Sequence, residues 1–394
     1  MNFFKRKNKP LYMPKAFPVI PKGSNQTITV QKPFDVYLFF TTLILVLIGI
    51  MMIFSSSAIL AKEKYGDTYY FLKKELLFIV VGFGALFACR SLSYKRYEKW
   101  IYPMLGGILI LMLVSFIPGM SHSAKGATRW IRLGGFTLQP SELAKIVVII
   151  FTAYLIGKKG ERIQNFTKGF LPVIFISGFY IMLILAQKDL GSAFVLGSVV
   201  FLMLYVSGTH IKYLAGMLFL SAPALYFLIF SVSFRKRRIL AFLDPWKYRL
   251  EYGYQIIQSF VAFKSGGLTG VGLGESRQKL FYLPEAHTDF IFSVLGEEFG
   301  MLGVLFVMSL FLIFIARGFK IALKTHDPFG MYLALGLTLL IGFEAFINFG
   351  VVMGILPTKG LALPFISYGG TSLIASLIAV GIILNVSTHT GEEM

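Results

Sequence analysis

Apolar positions in this chain come in long unbroken runs, without the alternation of a half-buried strand or the stripe of a soluble helix. Ten runs stand out, at about 37–60, 71–89, 100–118, 140–157, 169–187, 190–208, 213–233, 288–316, 328–353 and 367–386. A helix needs roughly 17–25 apolar residues to cross a bilayer, and only a helix or a closed barrel satisfies its backbone there. The pattern therefore predicts an all-α polytopic membrane protein with about ten transmembrane helices. The eighth run is long for one crossing and is expected to tilt or to begin outside the hydrocarbon.

The flanks set the orientation. Residues 1–34 hold seven basic side chains, no acid and five prolines, which reads as a disordered basic arm rather than a cleavable leader. With the arm in the cytoplasm, 19 of the 38 Lys and Arg fall inside and 19 outside. The positive-inside rule counts short loops, however, and nine of the outer cations sit in one long segment, 234–287. Both termini are then cytoplasmic. The expected organisation is the arm (1–34), a membrane domain (35–388) with a large extracytoplasmic loop between helices 7 and 8, and a short tail (389–394).

Composition sharpens this. Hydrophobic residues make up 56% and charged residues 14%, where soluble domains carry roughly 25% charged. A single cysteine, Cys89, excludes an internal disulfide. The net charge of +19 fits anionic headgroups or a phosphorylated substrate better than nucleic acid.

Three outward segments concentrate the polar chemistry. In 119–145, Arg129 and Arg132 present donor forks suited to phosphate, and Gln139 or Ser141 is placed to cap the fourth span with Pro140 in its first turn. Segment 234–287 opens with Arg235, Lys236, Arg237 and Arg238 and carries the run SGGLTGVGLGESRQK (265–279). No Gly-Lys-Ser/Thr closes that run, so close backbone packing is the reading preferred over a nucleotide loop. The third is the pair YLPEAHTDFIF (282–292) and GILPTKGLALPFISYGG (354–370). Glu285, His287 and Asp289 meet at the mouth of the eighth span, where a carboxylate is a functional candidate by default. Lys359 is the expected partner of Asp289. Glu297, Glu298 and Glu344 read as interhelical contacts, with Asn348 one turn after Glu344 on the same face. The histidines show no metal-ligand spacing.

Together with DLGSAF, RILAFLDPW and YGYQIIQS, these stretches resemble the SEDS family (shape, elongation, division and sporulation) over residues 35–388. PEAHTDFIF followed by GEE, with PTKG before LPFISYGG, is most similar to the cell-division branch, and the elongation and sporulation branches come next. Two places depart from the family pattern: Gln187-Lys188-Asp189 lacks the usual Pro, and Lys73-Lys74-Glu75 replaces a basic-Gln pair.

The resemblance implies a peptidoglycan glycosyltransferase of the cytoplasmic (inner) membrane. It would polymerise lipid II, a disaccharide-pentapeptide on undecaprenyl pyrophosphate, into β-1,4 glycan at the outer face, for septal wall synthesis. The implied partners are a class B penicillin-binding protein transpeptidase and other division proteins. The essential acid would be Asp289, as general base or as ligand of a Mg²⁺ or Mn²⁺ ion; no organic cofactor is expected. Substrate contacts are expected from Arg129, Lys145, Arg238, Glu285, His287, Lys359 and Ser367. Cations there would meet charge developing on the leaving pyrophosphate. A lipid II flippase and a non-catalytic division scaffold are the competing readings. Absence of a repeat between 37–208 and 213–386 disfavours a carrier.

Overall fold

A computed structural model describes residues 33–117, 121–124, 127–133 and 136–389, without the side chains of 121–124, 127, 128, 133 and 136. The arm, except its last two residues, and the tail from residue 390 lie outside the described residues.

All ten apolar runs are helical. They form α1 (Val36–Tyr65), α2 (Tyr70–Ser91), α3 (Lys95–Val114), α4 (Pro140–Lys159), α5 (Leu171–Ala186), α6 (Leu190–Val206) and α7 (Ile211–Phe230). Two shorter helices, α8 (Ser233–Leu243) and α9 (Tyr254–Gly266), lie in the long segment between α7 and α10, and α10 (Ile291–Lys324), α11 (Pro328–Val352) and α12 (Gly370–Thr388) complete the set. Among the described residues, eight helices are long and apolar enough to cross a membrane. The two others show why the count differs from ten. α6 has only 17 residues, and every 18-residue stretch of α2 contains at least three of Lys73, Lys74, Glu75 and Arg90.

The fold is the helical membrane architecture expected, with one small sheet added. Strands β1 (Ser121–Ala124), β2 (Ala127–Leu133) and β3 (Phe136–Leu138) pair antiparallel in sequence order, between α3 and α4. Trp130 and Ile131 favour extended backbone, and the segment is too polar to continue a span.

α4, α11 and α12 form the centre. Of the most apolar stretch of α4, 83% is buried, against 6% for α7. With lipid as apolar as the core, tight contact depends on small residues. A Cβ at Gly381 of α12 would strike the backbone at Leu86 of α2, and one at Gly157 of α4 would sit 3.0 Å from Phe329 of α11.

α10 breaks at Gly300, whose φ is 63°. An unbroken helix would bond the Met301 amide to the Glu297 carbonyl and Leu302 to Glu298. The glycine run instead inserts between these pairs. Val271 and Gly272 donate to the Glu297 and Glu298 carbonyls at 3.0 and 3.1 Å, while Gly267 and Leu268 accept from Met301 and Leu302 at 2.9 and 3.1 Å. Both of these severed bonds are replaced, as buried non-helical backbone requires. A Cβ on Gly266 or Gly270 would collide with this backbone, so the run is the packing loop expected. Glu297 and Glu298 lock it, the first accepting from the Ser276 hydroxyl and the Gln278 amide, the second from Ser55 and Lys279. Glu298, bonded to Ser55 of α1, is the interhelical contact expected, whereas Glu297 holds the loop.

Candidate active site

The strands, the first turns of α4 and α6, the ends of α7 and α8, and the loops before α10 and α12 enclose a cavity of about 750 Å³. Five cationic side chains line it: Arg129, Lys188, Arg235, Arg238 and Lys359. Glu142, Asp189, Glu285 and Asp289 are the acids on its wall. Five of the eight expected residues, Arg129, Arg238, Glu285, Asp289 and Lys359, therefore face one space, although they are spread over 231 positions of sequence.

Asp289 sits on a tight turn rather than in the first turn of α10. Glu285 takes a left-handed φ of 58°, which lets its carbonyl accept from the Thr288 and Phe290 amides at 3.1 and 3.3 Å. The carbonyls of residues 287, 288 and 289 are each held from outside the turn. His287 accepts from the Tyr368 amide at 3.0 Å, Thr288 from the Ser367 hydroxyl at 2.7 Å, and Asp289 from Asn348 Nδ2 at 2.9 Å. The same Asn348 amide group donates to the Leu361 carbonyl at 2.8 Å. Two loops that meet the cavity are thus tied to one buried side chain of α11. The carboxylate itself lies against Gly360, where an added Cβ would be 3.0 Å from Oδ2.

The cations are held close together. Residues 235 and 238, one turn apart on α8, point to the cavity, and Arg238 Nη1 reaches the Thr358 carbonyl at 3.4 Å. Burial lowers the pKa of Arg235, and the charge of Arg129 lowers it further. Burial also lowers Arg238, with Asp289 opposing the shift and Arg129 adding to it. Guanidiniums stay protonated through such shifts, so this is a site that gains by receiving an anion. Arg129 donates to the Lys188 carbonyl, and its Nε is buried without a protein partner. Lys188 has a φ of 63°, a backbone that proline cannot adopt; the departure from the family pattern thus goes with a left-handed turn at the residue whose carbonyl Arg129 uses. Lys359 lies with its ammonium 4.2 Å from the Phe194 ring centroid, and burial lowers its pKa. It shares the cavity with Asp289, and its described contact is this ring.

Three expected substrate contacts are corrected. Lys145 is 1% exposed and does not line the cavity. It bridges Glu142 (2.9 Å) and Glu344, because an ammonium inside a helix bundle must be neutralised nearby. His287 packs against the rings of Phe71 and Tyr368, at 4.9 and 5.9 Å, and does not line the cavity; burial lowers its pKa, with Glu285 opposing. Ser367 spends its hydroxyl on Thr288 and accepts from the Leu363 amide at 2.8 Å. Each of the three supports the wall without facing the cavity. Arg132 is exposed on β2 and does not line the cavity. Gln139 takes the cap position of α4 without a side-chain cap bond, and its amide donates to Ser141 and Asp189.

Asp189 was missed as a site residue. It is 2% exposed, caps α6 by accepting from Ser192, and lines the cavity. Its Asp-x-x-Ser spacing is a capping signal, which hides the second role. Among the described residues, no three of His, Cys, Asp and Glu are grouped to hold a metal. A divalent ion here would need ligands from the substrate.

Residues 35–392 match the family profile described as "Cell cycle protein", covering FtsW, RodA and SpoVE. The chain belongs to the SEDS family. Among its SEDS relatives, "Probable peptidoglycan glycosyltransferase FtsW" of Geobacter metallireducens is 49% identical, over 90% of this chain and 95% of that protein. "Stage V sporulation protein E" of Bacillus subtilis is 38% identical over 90% and 97%. A chain from a structure on coordination of polymerization and crosslinking by a peptidoglycan synthase complex superposes with a TM-score of 0.74, at 29% identity, over 91% and 99%. RodA of Thermus thermophilus gives 0.68 at 28% identity, over 91% and 98%. SEDS membership, with this helical fold, makes the chain a multi-pass membrane protein.

Proposed function

We propose that the chain is a peptidoglycan glycosyltransferase that polymerises lipid II at the outer face of the cytoplasmic membrane, in septal wall synthesis. The observation that carries this is the carboxylate of Asp289, held on anchored backbone and facing a cavity wall that also carries five cations. FtsW-type relatives at 46–49% identity support the division role.

The chemistry follows from the placement. A hydroxyl of the acceptor sugar attacks the anomeric carbon of the donor. The new C–O bond forms as the bond from that carbon to the pyrophosphate oxygen breaks. Asp289 takes the hydroxyl proton, within the reach a general base requires. The lipid pyrophosphate leaves with the bonding pair, and Arg129, Arg235 and Arg238 stabilise its charge in a space with little water. A class B penicillin-binding protein would crosslink the emerging strand. Support for this partner is the likeness to a chain of a synthase complex in which polymerization and crosslinking are coordinated.

The test is polymer formation from fluorescent lipid II in detergent, with and without the transpeptidase partner. Flipping has no meaning without a bilayer, so polymer reports chemistry alone. Asp289→Asn should lower turnover on the order of 10²–10⁴-fold while folding and partner binding persist. Partial recovery on raising Mg²⁺ or Mn²⁺ would reassign the carboxylate to metal binding. An Asp289→Asn protein that polymerises normally would favour the flippase or the scaffold.

A further inference from the structure

The basic cluster that opens α8 is used only in part by the cavity. Arg235 and Arg238 line it, whereas Lys236 and Arg237, between them, are exposed. Beyond the helix, Lys247 and Arg249 are exposed as well, and with them stand Leu243, Trp246 and Leu250 at 71%, 64% and 89% exposure. This surface is preorganised. Asp244 accepts from the Lys247 amide at 3.1 Å, Gly253 donates to the Tyr248 carbonyl at 3.0 Å, and a Cβ on Gly253 would strike the Pro245 carbonyl.

Its position relative to lipid is set by α7. That helix exposes Phe219, Leu220 and Phe227 by 70% or more and ends at Phe230, three residues before α8 begins. Arg235 folds back to the Leu228 carbonyl at 2.8 Å, so α8 turns off the last turn of a lipid-facing span. Exposed Trp and Leu interleaved with Lys and Arg, at the end of a span, are the composition of an interfacial element. Four exposed cations stand against Asp244 and Glu251, the latter 3.7 Å from Arg237.

We propose that this face of α8 and the turn after it binds the headgroups of anionic phospholipids in the outer leaflet, with Leu243, Trp246 and Leu250 seated among the acyl chains. The lipid thereby holds the helix whose other face presents Arg235 and Arg238 to the cavity. That consequence rests on the proposed function, whereas binding of the lipid does not.

The full chain is reconstituted in vesicles containing brominated phosphatidylglycerol or brominated phosphatidylcholine, and quenching of the fluorescence lost in Trp246→Phe is recorded. Phosphatidylglycerol should quench Trp246 at a lower mole fraction. Each cation near an anionic surface contributes about fivefold. Neutralising Lys236, Arg237, Lys247 and Arg249 together as Gln should therefore shift half-maximal quenching by about fivefold or more, toward the phosphatidylcholine curve. Equal quenching by both lipids in the unmodified chain would overturn the proposal. So would no quenching by either, with Trp246 becoming shielded only when the transpeptidase partner is added. If lipid binding holds but lipid II polymerisation fails in every vesicle, the functional reading falls and this one stands.

Discussion

Asn348 offers the sharpest test of how the candidate site is held. Its Nδ2 donates both to the Asp289 carbonyl (2.9 Å) and to the Leu361 carbonyl (2.8 Å), at 2% exposure. Replacement by Leu keeps similar volume and removes both bonds, one to a buried and one to a part-buried carbonyl. Each such loss costs roughly 1–3 kcal/mol. Part is returned, because Asn348 Oδ1 is itself buried without a partner and disappears with the amide. A net loss of about 2–4 kcal/mol is expected, and it falls on the two loops more than on the helices. The functional effect comes from position: a carboxylate displaced by about 1 Å can lose about 10² in rate. Purified Asn348→Leu, checked for folding and partner binding, should show kcat for polymer formation down 10- to 100-fold (about 1.4–2.7 kcal/mol). KM should change much less, because the cations on α8 are untouched. Asn348→Gln, which keeps the donor on a longer stem, should recover part of the rate. Unchanged kcat in a folded Asn348→Leu protein would show that the two carbonyl bonds do not place Asp289.

Three other changes probe separate parts of the site. Arg129→Ala should weaken donor binding or turnover roughly 10- to 150-fold, from about 1.5–3 kcal/mol of charge-assisted bonding, while Arg132→Ala, exposed on β2, should do far less; equal effects would assign both to the surface. Lys359, lowered by burial, is charged below its shifted pKa and neutral above it, so kcat/KM should fall as pH rises through a value under the usual lysine range. Lys359→Arg should carry the plateau to higher pH, and an unmoved limb would remove Lys359 from donor binding. Lys145→Met strands Glu142 and Glu344 inside the bundle and should cost about 3–5 kcal/mol, read as a loss of thermal stability before any loss of turnover per folded molecule; a stable, inactive protein would restore Lys145 to the site.

Much was legible in the linear order because a bilayer imposes one-dimensional rules. Ten apolar runs became ten helices, since a chain in lipid must close its own hydrogen bonds within each segment. The packing role of the glycine run was legible for a similar reason: a repeated absence of Cβ has few uses other than close approach. Arg129, Arg238, Glu285, Asp289 and Lys359 stood out because charged groups beside a span are costly unless used.

Other features lay beyond sequence reading. Lys145 and Asp289 are both charged residues near the end of a span, and nothing local separates them. What separates them is that Glu344, 199 positions away, holds Lys145 behind the wall, while the turn of Asp289 is tied so that its carboxylate lies against Gly360 and lines the cavity. His287 and Ser367 likewise lie in the right loops but turn toward Phe71, Tyr368 and Thr288. Within Arg235–Arg238 the sequence determined the charge, and the fold decided that two side chains meet the cavity and two the outside. Amount of charge and length of apolar run are properties of a segment, readable in order. Whether a charge is neutralised or left open to a ligand depends on partners brought from distant positions, and only the tertiary structure supplies those.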